Sequence, residues 1–186
     1  MPRIHKLVIE PMTEESFKPF GDLLDPTERP SDHRIISSVP FEADGRGTLG
    51  VIWQPYEGLT FDQLERHFTV TQTFIQLSGA PAVVAVSQST DLDDPEAAPD
   101  PQDVRAFLID PTKGYALKRG TWHSLNRHIL APPGATFVTM NSSPNHTQIV
   151  DYKNGQSLTY KDLSSDKNPT KIDLQGKSDI LFEIGL

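Results

Sequence analysis

The first group of residues that could carry chemistry lies in residues 64–79, which read LERHFTVTQTFIQLSG. Glu65 and His67 are two residues apart, so a β-strand places both side chains on the same face. A turn after His67 would let Gln72 return to that face from the next strand. This segment therefore offers a carboxylate, an imidazole and an amide to one site.

The second group lies in residues 114–126, which read GYALKRGTWHSLN. Gly120 is predicted to close a turn, which puts Trp122 and His123 at the start of the following strand. An aromatic ring can pack in a barrel core or contact a substrate, and for Trp122 we favour packing. The two segments are far apart in the sequence but can meet inside a barrel.

Glu65, His67, Gln72 and His123 together support two kinds of chemistry. Two imidazoles and a carboxylate can hold a divalent metal ion, such as Mn, Ni, Zn or Fe, and leave open positions. The same groups without a metal can act as general acid and base, because histidine titrates near neutral pH. Spacing does not decide between these interpretations, and a His beside a Glu in a strand is also common as a simple polar pair.

Prolines and glycines divide the rest of the chain into short apolar runs, which indicates strands more than long helices. Runs such as AVVAV are continuously apolar and suit strands buried inside a sandwich or barrel. The predicted strands are residues 6–10, 48–53, 63–67, 73–76, 82–87, 104–109, 115–118, 136–140 and 148–151. One short helix is predicted after Thr13 as N-cap, ending before Gly21. This pattern predicts an all-β fold, a sandwich or barrel, and a barrel mouth can surround one small ligand.

Three polar segments are predicted to lie outside these strands. They are a loop at residues 25–32, an exposed acidic loop at 89–103 (STDLDDPEAAPDPQD) and a polar, mobile stretch at 164–177. The final ILFEI run is expected to add an edge strand or to dock on a partner subunit. Too little chain follows the acidic loop to build a separate core, so we predict a single domain over residues 1–186.

The charge and composition narrow the class of partner. With 25 acidic and 17 basic residues, the chain has a formal net charge of −8 and lacks the basic field that nucleic acid or an anionic membrane surface needs. The absence of cysteine excludes disulfides, thiolate metal ligands and a cysteine nucleophile. The first residues, MPRIHKLVIEP, are too polar for a signal peptide, and no apolar run approaches the ~20 residues of a membrane helix. We therefore expect a cytoplasmic protein.

The two chemical segments resemble the two motifs of cupin barrels. The two glycines and the histidine of the second segment are spaced as in the second cupin motif. In the first segment, Glu65 stands where a cupin has its first His, and Gln72 stands where it has a Glu. The combination of ERH and TQTFI, with IEPMTEESFKPFGDLL before it and VRAFLIDPTKG before GTWH, resembles the ureidoglycolate lyase family. These blocks are spread over residues 6–140.

The resemblance implies a cupin-type double-stranded β-helix, or jelly-roll barrel, with one or two short helices, commonly as a homodimer. It also implies a carbon–nitrogen lyase that cleaves ureidoglycolate to glyoxylate and urea in allantoin (purine) breakdown. Such a reaction needs a base for the hydroxyl proton, an acid for the departing nitrogen and a cation for the substrate carboxylate.

For these roles, His67 or His123 is the candidate base, and Glu65 or the other His is the candidate acid. The candidate substrate-binding side chains are Gln72, Trp122 and three cations, Lys118, Arg66 and Arg127. Lys118 is the preferred cation if it faces inward, although Lys and Arg side chains are most often solvated.

The chain departs from the family pattern at several positions. Leu117 and Lys118 stand where the family tends to have a Tyr-His pair, and Ser124 follows His123 where a second His is expected. Asn141 lies near the point where an Asp-Arg pair is expected. These departures leave two alternatives open: a divergent cupin enzyme, metal-dependent or not, for another small carboxylic acid, and a non-catalytic barrel that binds a small acid.

Overall fold

β-Strands make up nearly all of the regular structure of this protein. The structure, a computed structural model, describes residues 2–25 and 38–186. Its strands are β1 (Arg3–Pro11), β2 (Gly21–Leu24), β3 (Arg46–Pro55), β4 (Thr60–Phe61), β5 (Gln63–His67), β6 (Gln72–Gly79), β7 (Ala82–Ser87), β8 (Arg105–Leu108), β9 (Gly114–Leu117), β10 (Trp122–Ser124), β11 (His128–Ile129), β12 (Gly134–Ser143), β13 (Thr147–Asp151), β14 (Asn154–Tyr160), β15 (Thr170–Ser178) and β16 (Ile180–Gly185). The described helical segments are α1 (Glu14–Phe17) and a 3-10 helix at Pro101–Asp103. The predicted all-β, cupin-type fold class is confirmed.

The strands form two sheets. The larger sheet has the strand order β15-β14-β13-β5-β10-β7-β8-β1-β16-β4, and the short strand β11 also pairs with β7. The smaller sheet has the strand order β2-β9-β6-β12-β3. Most neighbours are antiparallel, whereas β1 runs parallel to both β8 and β16. Because β5 lies between β13 and β10, the two chemical segments of the sequence become neighbouring strands.

The larger sheet is buried on both faces at β7, which explains the continuously apolar sequence of that strand. On β7, Val84 and Val86 belong to a first core that also contains Phe74 of the smaller sheet. Val83 and Ala85 belong to a second core on the opposite face. Because successive residues of a strand point to opposite faces, the run AVVAV has no position at which a polar side chain would reach water.

Helix α1 begins where the sequence predicts but ends earlier. Thr13 Oγ1 accepts a hydrogen bond from the Ser16 backbone N–H at 3.1 Å, and Ser16 Oγ accepts one from the Thr13 N–H at 3.0 Å, which forms a capping box. The helix ends at Phe17, and both Phe17 and Phe20 pack into the first core with ring centroids 6.0 Å apart. Burying these two rings takes the chain directly from the helix into β2.

The C-terminal region differs from the sequence prediction. The polar stretch predicted at residues 164–177 contains all of β15 but its last residue, and β15 pairs with β14 from residue 170 onward. The ILFEI run forms β16, which lies between β1 and β4 and is therefore not an edge strand. Ile180, Phe182 and Ile184 alternate along β16 and are all buried in the second core.

The two helical segments in the described part of the chain have four and three residues, so neither is long enough to cross a membrane. The cytoplasmic location and the single domain over residues 1–186 stay predictions. The loop predicted at residues 25–32 lies outside the described residues, except for Asp25.

Candidate active site

Strand pairing brings Glu65, His67 and His123 together inside the barrel. Glu65 on β5 is directly opposite His123 on β10, and His67 follows on the same face of β5. That face points toward the smaller sheet, because His123 is also opposite Val86 of the first core. Glu65 Oε1 lies 3.9 Å from His67 Nε2 and 3.8 Å from His123 Nδ1, and the two ring centroids are 5.2 Å apart. We refer to these three residues as the triad.

Burial sets the protonation state of the triad. Removal from water raises the pKa of Glu65 to about 7, an effect that the positive charge of Arg127 partly opposes. The pKa of His67 is lowered to about 4, and that of His123 lies well below its ordinary value, first because of burial and then because of Arg127. At neutral pH both imidazoles are therefore neutral, while Glu65 carries a proton part of the time.

Three buried atoms of the triad and Gln72 have no hydrogen-bond partner within the described residues. They are His67 Nε2, His123 Nε2 and Gln72 Oε1. Gln72 lies at the start of β6 and is close enough to His67 to favour its protonated form, which raises the His67 pKa against the effect of burial. Unpartnered buried polar atoms are rare in folded proteins, so a cluster of them indicates a place where a ligand, an ion or water completes the contacts.

The triad could hold a metal ion. One ligand atom from each residue lies within 4.8 Å of the others, and all three residues are buried. Neutral imidazole nitrogens and a carboxylate oxygen are donors that divalent transition metals accept, with positions left open for a substrate. Gln72, the fourth ligand predicted from the sequence, adds an unpartnered amide oxygen beside His67.

Arg127 is the cation that the structure brings to the triad. Its side chain is buried, and Nη2 lies 3.4 Å from His123 Nδ1. The guanidinium donates to the Ser124 carbonyl at 2.6 Å and to the Tyr115 hydroxyl at 3.4 Å, and its Cζ lies 4.3 Å from the centre of the Phe74 ring. No carboxylate among residues 2–25 and 38–186 forms a salt bridge with it. A buried cation without a carboxylate is costly, so this position favours an anionic ligand.

Gln54 fixes the loop that carries Arg127. Gln54 lies on β3, and its Oε1 accepts a hydrogen bond from the Arg127 backbone N–H at 2.8 Å. Its Nε2 donates to Asn126 Oδ1 at 3.2 Å, so both ends of the amide are used. The loop after β10 is therefore tied across the barrel to the smaller sheet. The sequence contains no signal for this contact, because Gln54 is separated from Arg127 by 73 positions and belongs to no motif.

A cavity of about 260 Å³ opens beside this loop. Its lining includes Arg127 and Gln54, together with Gln63, which is on the same face of β5 as Glu65. Drug-sized ligands occupy pockets of roughly 300–1,000 Å³, so this volume suits a smaller organic molecule. The cavity therefore lies next to the residues that carry and fix Arg127, whereas Glu65, His67 and His123 do not line it.

Lys118, the preferred cation of the sequence prediction, does not face the triad. Its side chain is exposed, and Nζ donates to the backbone carbonyl of Lys18 at 2.5 Å. Strand β9 ends at Leu117, so Lys118 belongs to the turn that leads to Gly120. Lys118 was preferred on the condition that it faces inward, and it does not.

Arg66 and Trp122 lie on the opposite face of the larger sheet from the triad, because each alternates with a triad residue along its strand. Arg66 Cζ lies 4.6 Å from the centre of the Trp122 ring. The guanidinium donates to the backbone carbonyls of Thr90 and Asp91 at 3.2 and 3.1 Å. The structure therefore places both side chains away from the proposed substrate and against the acidic loop at residues 89–103, which they hold on the outer face of the sheet.

Known proteins with similar sequences place the chain in a family. The model of a family described as ureidoglycolate lyase matches residues 36–160, which is more than half of the chain. The chain belongs to the ureidoglycolate lyase family. Its relatives include the ureidoglycolate lyase of Rhodobacter capsulatus, 34% identical over 143 residues that cover 71% of this chain and 82% of that protein. The ureidoglycolate lyase of a Chelativorans species is 29% identical, with 70% and 80% covered, and that of Pseudomonas savastanoi is 32% identical, with 64% and 74% covered.

Proposed function

We propose that this protein is a lyase that cleaves ureidoglycolate to glyoxylate and urea. The observation that supports this most directly is Arg127, a buried cation without a carboxylate partner in the described chain, next to the neutral imidazoles of the triad. Ureidoglycolate has a carboxylate, a hydroxyl group and a ureido group on one carbon, so it presents one anion and two positions for proton transfer. The names of the relatives point to the same substrate.

In the proposed reaction, Arg127 binds the substrate carboxylate and so holds the central carbon beside the triad. The Nε2 lone pair of His67 accepts the hydroxyl proton, and the oxygen electrons form the new C=O bond of glyoxylate. The carbon–nitrogen bond breaks, its electron pair goes to the urea nitrogen, and that nitrogen takes a proton from Glu65. His123 Nε2 accepts an N–H of the ureido group. The proton on His67 then returns to Glu65, 3.9 Å away, and both residues regain their starting states.

A divalent metal ion is compatible with the same donors. Glu65, His67 and His123 would hold it, with Gln72 as a fourth ligand. Such an ion would supply a Lewis acid that polarises an oxygen of the substrate. The carboxylate contact of Arg127 serves the reaction with or without the ion, since the substrate is an anion in either case.

The test is incubation of the purified protein with ureidoglycolate, with and without added manganese or nickel, while glyoxylate and urea are measured. We expect release well above the uncatalysed rate. Arg127→Met should lower kcat/KM roughly 100-fold, because loss of one partner of a buried charge pair costs about 3 kcal/mol. Arg119→Met is the matched control, because Arg119 pairs with the surface carboxylate of Asp44 at 2.9 Å.

Two results would count against the proposal. No product from folded wild-type protein under any metal condition would refute the lyase and favour a divergent enzyme or a binding protein for another small acid. Full activity of Arg127→Met would leave the lyase in place but remove Arg127 as the carboxylate-binding residue.

We further propose that the protein is a homodimer that associates through the outer face of the smaller sheet. Five large apolar side chains are exposed there on β3 and β6: Leu49, Val51, Trp53, Ile75 and Leu77. Val138 of β12 joins them, since it is directly opposite both Val51 and Ile75. In the described part of the chain β3 has a strand neighbour on one side only. An exposed apolar face next to a free strand edge favours pairing with a second copy.

Sedimentation of wild-type protein and of Val51→Lys tests this assembly. Val51 is 67% exposed at the centre of the apolar face, so a charge there should convert the dimer to a monomer. Val8→Lys is the matched control, because Val8 is 78% exposed on β1, away from the smaller sheet. A wild-type monomer at micromolar concentration would rule the proposal out.

A further inference from the structure

His67 makes its hydrogen bond through Nδ1. This atom lies 2.8 Å from Thr147 Oγ1, and the same Thr147 oxygen lies 3.2 Å from the backbone carbonyl oxygen of Asn145. Thr147 is directly opposite His67 in the pairing of β13 with β5. The two residues are 0% and 3% exposed, so water does not replace either partner of the contact.

One arrangement of protons satisfies both of these contacts. The Asn145 carbonyl can only accept, and the Thr147 hydroxyl has a single proton, so that proton is donated to Asn145. The Thr147 oxygen then accepts from His67, which puts the imidazole proton on Nδ1.

The opposite arrangement leaves groups unsatisfied. If Thr147 donated to His67, no proton would lie between the oxygens of Thr147 and Asn145. The His67 proton would then be on Nε2, which forms no hydrogen bond with a described residue: Glu65 Oε1 is 3.9 Å away, and Gln72 Oε1 is likewise without a partner. Buried donors without acceptors are costly, so this arrangement is disfavoured.

His123 reaches the same tautomer through a backbone contact. Its Nδ1 lies 3.1 Å from the carbonyl oxygen of Ser124, which can only accept, and 3.4 Å from Arg127 Nη2, which can only donate. The shorter contact favours a His123 proton on Nδ1, because Arg127 Nη2 already donates to the Ser124 carbonyl at 2.6 Å. Both histidines therefore keep a bare Nε2, and both Nε2 atoms are buried without a partner in the described structure.

We propose that Thr147 is a positioning residue that holds His67 in the Nδ1–H tautomer and so keeps its Nε2 lone pair available to the substrate. An imidazole with a proton on Nε2 cannot accept the hydroxyl proton through that atom, nor can it bind a metal ion there. The effect on catalysis rests on the lyase function proposed above, whereas the tautomer itself does not.

Two substitutions separate the hydroxyl group of Thr147 from its size. Thr147→Val keeps the shape and removes the hydroxyl, and Thr147→Ser keeps the hydroxyl as the matched control. Two-bond ¹H–¹⁵N correlation spectra of protein with ¹⁵N-labelled histidine report the tautomer, and His67→Gln assigns the His67 signals. We expect the Nδ1–H form in wild type and Thr147→Ser, and a large share of the Nε2–H form in Thr147→Val.

The kinetic measurement uses the same variants with ureidoglycolate. We expect kcat of Thr147→Val to fall roughly 10- to 100-fold, as is typical when the residue that orients a functional histidine is lost. KM should change little, because Arg127 still binds the carboxylate, and Thr147→Ser should keep most of the wild-type kcat.

Three outcomes overturn the proposal: an Nε2–H form of His67 in the wild-type protein, an unchanged tautomer in Thr147→Val, or a shifted tautomer with unchanged kcat. The first needs only wild-type protein, so the proposal remains testable if Thr147→Val fails to fold. If the wild-type protein releases no glyoxylate, the lyase function fails and the spectra still decide the tautomer.

Discussion

Replacement of Arg66 by Met should destabilise the protein and leave its chemistry intact. The guanidinium donates to Gln148 Oε1 at 2.8 Å and to the carbonyls of Thr90 and Asp91 at 3.2 and 3.1 Å. A hydrogen bond from a charged donor contributes about 1.5–3 kcal/mol, and stacking on Trp122 adds about 1 kcal/mol. Burial, which lowers the pKa of Arg66 to about 10, opposes these gains. We expect a net loss of about 3 kcal/mol in the free energy of unfolding.

Urea denaturation measures this loss directly, and a thermal melt should show a Tm lower by roughly 6–12 °C for a chain of this size. Arg3→Met is the control, because Arg3 is exposed and its replacement should change stability by less than about 0.5 kcal/mol. At a temperature where both proteins are folded, Arg66→Met should keep the wild-type kcat and KM. A variant with wild-type stability and a 100-fold lower kcat/KM would refute this reasoning and return Arg66 to the substrate-binding residues.

Two further predictions concern stability. Burial lowers the pKa of His128 from 6.5 to about 4. Between these pH values the unfolded chain therefore binds more protons than the folded protein, so acid favours unfolding. The free energy of unfolding should fall by about 3 kcal/mol from pH 7 to pH 4. His128→Phe, which keeps an aromatic ring beside Phe61, should remove that share of the pH dependence in urea titrations. An unchanged dependence would contradict the assignment. Gly79 has a φ of +101°, and a Cβ there would lie near the Gly134 carbonyl oxygen. Gly79→Ala should therefore lower the free energy of unfolding, measured by thermal unfolding, by at least about 2 kcal/mol. Gly47→Ala, where a Cβ meets nothing within 4 Å, is the control, and equal losses in both variants would show that the contact is not the cause.

The spacing in ERH was sufficient to predict that Glu65 and His67 share a face, because the side-chain period of a strand is two. The histidine of GTWH was expected to meet them inside a barrel, and the family resemblance pointed the same way; the direct pairing of Glu65 with His123 agrees with that expectation. The same period of two also puts Arg66 and Trp122 on the other face. The sequence therefore indicates that Arg66 and Trp122 face away from Glu65 and His123. Only the structure shows that this other face is also buried, since β5 lies between the two cores.

In the last two strands, local sequence patterns were insufficient to predict the structure. Residues 170–178 are polar enough to suggest a mobile segment, yet they pair with β14, because an edge strand can expose most of its side chains. The ILFEI run was expected to add an edge strand or to dock on a partner subunit, and it does form a strand, β16. Its place between β1 and β4 follows from long-range pairing, which alternation along one strand does not specify.

The sequence by itself determined the all-β class, most of the strands, the family and the residue types of the triad, because these depend on local periodicity and short motifs. Tertiary structure alone decided which cation reaches the triad and which hydroxyl orients His67. Arg127 is tied in place by Gln54, and His67 by Thr147, over separations of 73 and 80 positions. Such contacts are set by strand register and barrel closure, so no spacing along the chain encodes them.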